Sequence, residues 1–485
     1  MSRMRYLSTI VADLGDIFTF IAPVSCVPLI VAVLFSEWDM LIPMATVPLI
    51  FLVIGLLLKK IPRSGQGSRL STAMCSVALF WFACAVVSGI PFMIGLHMSF
   101  TDAVFEGMAG WTGTAFSVIR SLDSVPYTLL FWRSYMQWIG GIGIIAFTVA
   151  LASSTGLFRS KILRNDSRDE SLTPSVRAAG RSLWKIYAGL TFCAIGLILF
   201  SGLSLWDSVN LALSAISTGG FIPHDGGLLY YDNSLLALLI IPVMIAGALP
   251  FKLYFLILEN RRLSLFGDEQ VKIFFLILAI GTAVLTYDLI LFSDIALVPA
   301  VLQGLFMSVS ALTSTGFAIV NLQTWASVTL LVLTMLTFIG GAAGSTSGGI
   351  KLDRVAFSLR ALLWWFRQLF VSGKVLIPFR IEGRVIPKAT AELETAKNML
   401  VIILSVVTVF VASLVLLQVH STTFSLTEIV FQVVSAFSTC GFNIGYVSPD
   451  MPLVSKWIMI GVMWIGRLEV IPVIILFFAL FRGRE

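Results

Sequence analysis

Windows of about 20 consecutive apolar residues recur along this chain, each long enough to cross a hydrocarbon layer about 30 Å thick as a helix. Ten can be placed, near 14–36, 40–58, 71–95, 127–153, 184–203, 233–258, 271–292, 326–347, 397–419 and 453–481. Inside lipid every backbone N–H and C=O must be satisfied within the protein, which makes the helix the expected spanning element. Composition agrees. Of 485 residues, 58% are hydrophobic and 12% charged, with mean hydropathy +0.97, more apolar surface than a water-soluble chain of this length can hide. The first window is not read as a cleaved leader, being too long and lacking a small-residue cleavage site before the next span. The expected class is an all-α, multi-pass membrane protein.

The net charge of +6 could suggest nucleic acid, but its distribution argues otherwise. Cations gather before span one (Arg3, Arg5), between two and three (Lys59, Lys60, Arg63, Arg69) and after four (Arg159 to Lys185). They recur between six and seven (Arg261, Arg262, Lys272), after eight (Lys351 to Lys388) and at the end (Arg482, Arg484). With alternating spans all fall on one side; Glu37, Asp39, Asp123, Asp225, Asp294 and Asp450 fall on the other. By the positive-inside rule both termini are cytoplasmic, in a plasma (inner) membrane, with the lipid bilayer and no nucleic acid as partner. The cysteines, Cys26, Cys75, Cys84, Cys193 and Cys440, have neither paired nor metal-ligand spacing.

On the acidic side lie four apolar stretches too short to span, near 101–112, 206–217, 300–312 and 426–437. Each runs into a small polar turn ending in Phe: Trp111 to Phe116 (WTGTAF), Ile216 to Phe221 (ISTGGF), Leu312 to Phe317 (LTSTGF) and Phe437 to Phe442 (FSTCGF). Fourteen residues before each Phe stands Asp102, Asp207, Gln303 or Glu428, and three residues earlier Ser99, Ser204, Ala300 or Ser425. Three of these pairs form the capping-box pattern of a helix start. The third has Ala300 at the cap position, with Pro299 beside it still favouring helix entry. The repeated unit is span, short half-helix, polar turn, span. Its expected boundaries are 1–64 for an N-terminal two-span pair, then 65–160, 161–265, 266–372 (with a broken second span) and 373–485 for repeats one to four.

Open backbone at membrane depth is costly unless it lines a cavity or is buried in protein, so the four turns are expected to converge on one pore. Carbonyls aimed at a dehydrated ion need unusual dihedrals, and Gly220, Gly316 and Gly441 precede Phe in three repeats. Candidate cation-lining residues are Thr112, Gly113, Thr114 and Ala115; Ser217, Thr218, Gly219 and Gly220; Thr313, Ser314, Thr315 and Gly316; Ser438, Thr439, Cys440 and Gly441. Half-helix C-termini directed inward would favour a cation, and no turn carries a carboxylate of the kind a divalent-cation site would use. Ala115 departs from its repeat and is expected either to be strained at positive φ or to turn its carbonyl away, unless Gly113 absorbs the distortion.

These four turns, in four span–pore–span units after a helix pair, resemble the Trk/Ktr/HKT superfamily of potassium transporters, in its TrkH/KtrB-like membrane subunits. The resemblance covers essentially the whole chain. It extends to Trp132-Arg133-Ser134, to Gln137 through Gly143, to Gly340 through Lys351 and to Gly466-Arg467-Leu468-Glu469. It implies K+ as the transported ion, no nucleotide site on this chain, a homodimer, and a TrkA/KtrA-like cytosolic nucleotide-binding regulatory subunit. In plant HKT relatives a Ser at the position of Ala115 goes with sodium permeation, implying weaker K+/Na+ discrimination here.

The run from Gly340 to Gly349 falls where span eight should be helical, and its glycines weaken a helix by up to about 1 kcal/mol each. A break is expected, although small residues also pack straight helices together. The resemblance makes this segment a movable gate, with candidate residues Gly340, Gly341, Gly344, Ser345, Thr346, Gly348, Gly349 and Lys351. Lys351 either tethers the loop or snorkels to the cytosol. Arg467, inside the last span, is either anchored by Glu469 or a carbonyl, or projects as an electrostatic barrier. An enzyme is disfavoured, since the histidines are His97, His224 and His420, all at outer edges. A Na+- or H+-coupled carrier stays open through Glu106, Lys252, Arg467 and Glu469.

Overall fold

The computed structural model describes residues 3–62, 70–154, 176–260, 267–370, 377–381, 384–419 and 424–482. Arg63, Arg69, the basic stretch 155–175, Arg261, Arg262, Lys374, His420 and Arg484 lie outside the described residues, as do all four boundaries expected between units.

An N-terminal pair comes first, α1 (Arg3–Val24) continuing into α2 (Val27–Leu34), then α3 (Leu41–Lys59). The stretches expected as repeats follow in order, the first with α4 (Leu70–Gly95), the short α5 (Phe100–Thr112) and α6 (Tyr127–Ser154). The second has α7 (Val176–Leu199), the short α8 (Leu205–Ile216), α9 (Ser234–Ala248) and α10 (Phe251–Asn260). The third has α11 (Glu269–Phe292), the short α12 (Leu297–Leu312), α13 (Ser327–Ile339) and α14 (Leu352–Leu369). After a hairpin of β1 (Phe379–Ile381) and β2 (Arg384–Ile386), the fourth has α15 (Lys388–Val419), the short α16 (Leu426–Phe437), α17 (Leu453–Arg467) and α18 (Ile471–Arg482). Architecture and class agree with the expectation of an all-α membrane protein.

Besides the short interruption at Ser25 and Cys26 between α1 and α2, three of the ten expected spans are not continuous helices. The break after Ile339 was anticipated; the other two were not. Between α9 and α10 the chain bends by 91°. Pro250 has no N–H to give and disfavours helical geometry at the residue before it, and Leu249 is extended at φ −83°, ψ 155°. Between α17 and α18 it bends by 109°, through Glu469 and Val470 at φ 62° and 66°.

The short helices begin as their residues direct. Ser99, Ser204 and Ser425 accept the N–H of Asp102, Asp207 and Glu428, and Ser425 completes a reciprocal box with Glu428. The third corrects the expectation. Its cap is Ala296, not Ala300, so α12 is one turn longer, with 16 residues. Pro299 falls in its first turn, where no intrahelical partner awaits its missing N–H. The C-terminal halves of these short helices are buried: α5 buries every residue from Ala103 to Thr112, and α8, α12 and α16 bury Asn210 to Ile216, Phe306 to Leu312 and Phe431 to Phe437. Their C-termini therefore meet inside the protein.

Candidate functional site

All four short helices end alike. The N–H groups of Thr114, Gly219, Thr315 and Cys440 donate to the carbonyls of Ala109, Ser214, Ser310 and Ser435 at 2.7–2.9 Å. Those of Gly113, Thr218, Ser314 and Thr439 donate to Gly110, Ala215, Ala311 and Ala436 at 3.0–3.1 Å. This is the Schellman termination, which needs a left-handed residue after the helix. Gly113, Thr218, Ser314 and Thr439 supply it at φ 71°, 51°, 55° and 51°.

Two residues on, Gly220, Gly316 and Gly441 return to positive φ at 81°, 81° and 90°, whereas Ala115 does not. Of the two outcomes expected for Ala115, the strained one is not adopted. Gly113 is left-handed, as is the residue at its position in each of the other turns.

The turns close into a ring. A Cβ built on Gly220 would overlap the Thr315 carbonyl oxygen, one on Gly316 the Cys440 carbonyl oxygen and one on Gly441 the backbone of Ala115. On Gly113 it would lie 3.7 Å from the Cα of Gly219. Turn two thus abuts three, three abuts four, four abuts one and one abuts two. The Ala115 methyl faces inward, 2.9, 3.4 and 2.6 Å from the Cβ positions of Gly220, Gly316 and Gly441. Hydroxyls pair locally, Thr112 with Thr114 at 2.9 Å and Thr313 with Thr315 at 2.7 Å, while those of Ser438 and Thr439 are buried without a hydrogen-bond partner.

Buried polar side chains support the backs of these turns. Glu106 accepts from the Val118 N–H at 2.6 Å and the Ser117 hydroxyl at 2.7 Å, and pairs with Arg133 at 3.2 Å. Gln432, at the same register in repeat four, donates to the Phe442 carbonyl at 3.0 Å and accepts from the Ile444 N–H at 3.2 Å. Gln137 donates to the Gly219 carbonyl at 2.8 Å and accepts from the Phe221 N–H at 3.1 Å. Among these, sequence reasoning gave Glu106 a different candidate role and assigned none to Gln137 or Gln432. The shared offset of ten residues between Glu106 or Gln432 and its Phe was the available signal.

Beneath the ring lies the segment from Gly340 to Lys351. Its Ala342 and Thr346 N–H groups donate to the carbonyls of Ala248 and Gly247 at 3.1 and 3.2 Å, and Gly344 accepts from the Phe251 N–H at 3.0 Å. The bend at Pro250 thus frees the backbone groups that hold the loop. Thr346 Oγ1 reaches the Ile216 and Gly247 carbonyls and accepts from Thr218 Oγ1 at 3.1 Å. Ser347 Oγ meets Ser314 Oγ at 3.3 Å, and a Cβ on Gly348 would overlap the Ser438 carbonyl. Gly341 donates to Ser347 Oγ at 2.8 Å, Ser345 Oγ to the Ala342 carbonyl at 2.6 Å, and Gly340 and Gly349 take positive φ. Lys351, buried, donates through Nζ to the Ser347 carbonyl within the same loop.

Arg467, 3% exposed, donates to the Thr346 carbonyl at 2.8 Å and the Gly140 carbonyl at 3.2 Å. Its guanidinium lies 3.8 Å from the Cβ position of Gly113, under turn one. Glu469 instead pairs with Arg354 in the first turn of α14. Arg120 meets Asp450 at 2.6 Å, and Asp225 accepts from Ser121 at 2.7 Å, joining the segments that follow turns one, two and four.

Residues 44–482 match the protein-family model for TrkH, described as a cation transport protein. The chain belongs to this family. As a TrkH-family protein it falls within the Trk/Ktr/HKT superfamily. It is 30% identical over 477 residues to an uncharacterized cation transporter of Methanocaldococcus jannaschii, covering 96% of this chain and 94% of that one. It is 29% identical over 417 residues to the Trk system potassium uptake protein TrkH of Halomonas elongata, covering 82% and 83%. The crystal structure of the potassium transporter TrkH from Vibrio parahaemolyticus shares the fold, with a TM-score of 0.85 at 24% identity, covering 97% of this chain and 98% of that one.

Proposed function

We propose that this TrkH-family protein takes up potassium through a central pore in which the ring of four turns is the selectivity filter and the 340–351 loop, with Arg467, is the gate. The observation that carries this reading is the closed ring of backbone: four helix C-termini end on it, and no carboxylate occurs in any turn. Helix C-termini and carbonyl oxygens favour a dehydrated monovalent cation. The unpaired hydroxyls of Ser438 and Thr439 fit the same role. Relatives named as potassium uptake proteins support K+ as the ion. The test is Rb+ uptake into proteoliposomes against competing K+ and Na+; uptake that K+ does not compete away, or that needs no protein, overturns the reading.

A pore is favoured over a Na+- or H+-coupled carrier because each ionisable candidate is engaged elsewhere. Glu106 is paired with Arg133, Lys252 with Asp268 at 3.1 Å, Glu469 with Arg354, and Arg467 bonds two carbonyls. Substantial Na+ permeation is a second reading, favoured by the departure of Ala115 from the φ of its three counterparts and by its inward methyl. Replacing Ala115 by Gly then raises the K+/Na+ permeability ratio in bi-ionic reversal potentials; an unchanged ratio removes this reading.

The assembly that goes with the function is a homodimer in the plasma membrane, both termini cytoplasmic, bearing a nucleotide-binding regulatory subunit on its basic face. The chain divides into the N-terminal pair and four repeats at the boundaries given above. Purification with a tagged second copy and light scattering in detergent test the dimer.

A further inference from the structure

Turn two differs chemically from the other three. At the position before its filter glycine the others carry side chains, Thr114, Thr315 and Cys440, whereas turn two has Gly219. That space is not open. A Cβ on Gly219 would overlap the side-chain amide of Gln137, which reaches across from α6 of the first repeat. The amide then uses both of its functions on turn two, donating to the Gly219 carbonyl at 2.8 Å and accepting from the Phe221 N–H at 3.1 Å, on either side of Gly220. Gln137 is fully buried, so neither bond competes with water. One helical turn earlier on the same face, Arg133 lies over the Phe221 ring, 4.0 Å from its centroid, while paired with Glu106, which holds the exit of turn one.

We propose that Gln137, seconded by Arg133, is a positioning residue for cation selection: its amide replaces the side chain that Gly219 lacks and fixes the Gly220 peptides of filter turn two against turn one. The inference rests on the filter reading above and adds a residue to it from outside all four turns. A primary amide is required because the site presents one carbonyl and one N–H together. Leu, of similar size, satisfies neither, and Glu as a carboxylate accepts from Phe221 but cannot donate to Gly219. Two lost bonds to a buried peptide loosen the ring geometry on which discrimination depends, without touching the ion.

The experiment measures K+/Na+ permeability ratios of purified full-length protein in proteoliposomes for Gln137→Leu, Gln137→Glu and, as a control on the filter itself, Gly316→Ser. Gln137→Leu is expected to lower the ratio on the order of tenfold, from two unmade buried hydrogen bonds, with Gln137→Glu intermediate. Gly219→Ala, which pushes the amide aside, should reproduce the loss, and pairing it with Gln137→Ala should recover part of the ratio. That recovery separates positioning from general damage. Should Gly316→Ser lose selectivity while both Gln137 variants keep it, the proposal is overturned and the filter stands. If none of the variants changes the ratio, the filter reading falls and the positioning role with it. Where Gln137→Leu yields no monodisperse protein, the Gly219→Ala and Gly219→Ala/Gln137→Ala pair decides: equal ratios for both, or a ratio unchanged from the natural protein, count against the role.

Discussion

Each of the four turns asks for a left-handed residue at the helix end, and three of four ask for a second one just before Phe. The second demand shows in residue type, because Gly220, Gly316 and Gly441 adopt positive φ without a Cβ penalty. The first does not, since Thr218, Ser314 and Thr439 are held there by the Schellman bonds at a cost of about 1–2 kcal/mol each. Replacing any of the three glycines by Ser adds that cost and a collision with the neighbouring turn. We expect each variant to lose potassium preference in bi-ionic reversal potentials, and unchanged ratios in all three would exclude these turns from selection. Glu106 makes a different kind of prediction. Glu106→Leu leaves Arg133 buried without its counter-charge and should destabilise the protein by about 3–5 kcal/mol. A lowered thermal midpoint in detergent, shared by Glu106→Gln, which removes the same charge, would bear this out.

Among the elements, those set by local chemistry were predictable and those set by distant partners were not. Ser caps announced α5, α8 and α16, whereas α12 starts one turn early on Ala296, a residue type that signals nothing. Pro250 lies inside the window 233–258, which reads as one continuous span. Whether a proline kinks a helix or ends it depends on what receives the freed backbone groups, and here that is a loop about a hundred residues later, with Thr346 bonding Gly247 at a separation of 99. Several of the loop's anchors are single side chains, so they are testable one at a time. Thr346→Val removes its hydroxyl contacts to Ile216, Gly247 and Thr218 and should loosen the loop by about 1–3 kcal/mol. On the proposed gate reading, Arg467→Ala, or a deletion within Gly341–Gly348, removes the obstruction itself. Both kinds of change are expected to raise basal Rb+ uptake at matched protein abundance, and uptake at or below the natural level would refute the gate.

For the whole molecule, the charge bias predicts orientation. A cysteine placed at Asp232 should react with a membrane-impermeant maleimide in intact cells, and one at Lys388 only after permeabilisation, each read against the unsubstituted chain; the reverse pattern would invert the topology. The sequence by itself determined that the chain crosses lipid repeatedly, that four short helices interrupt the spans, and that each ends in a small-residue turn before Phe. These follow from hydropathy, caps and left-handed glycines, all of which act within a few residues. Tertiary structure alone decided how the turns abut, which spans bend, and which side chains stand behind the ring. Gln137 meets Gly219 across 82 residues, and Arg467 meets Thr346 across 121. Nothing near a buried amide or guanidinium in the sequence records its partner, because the partner is chosen by the packing of helices far apart in the chain.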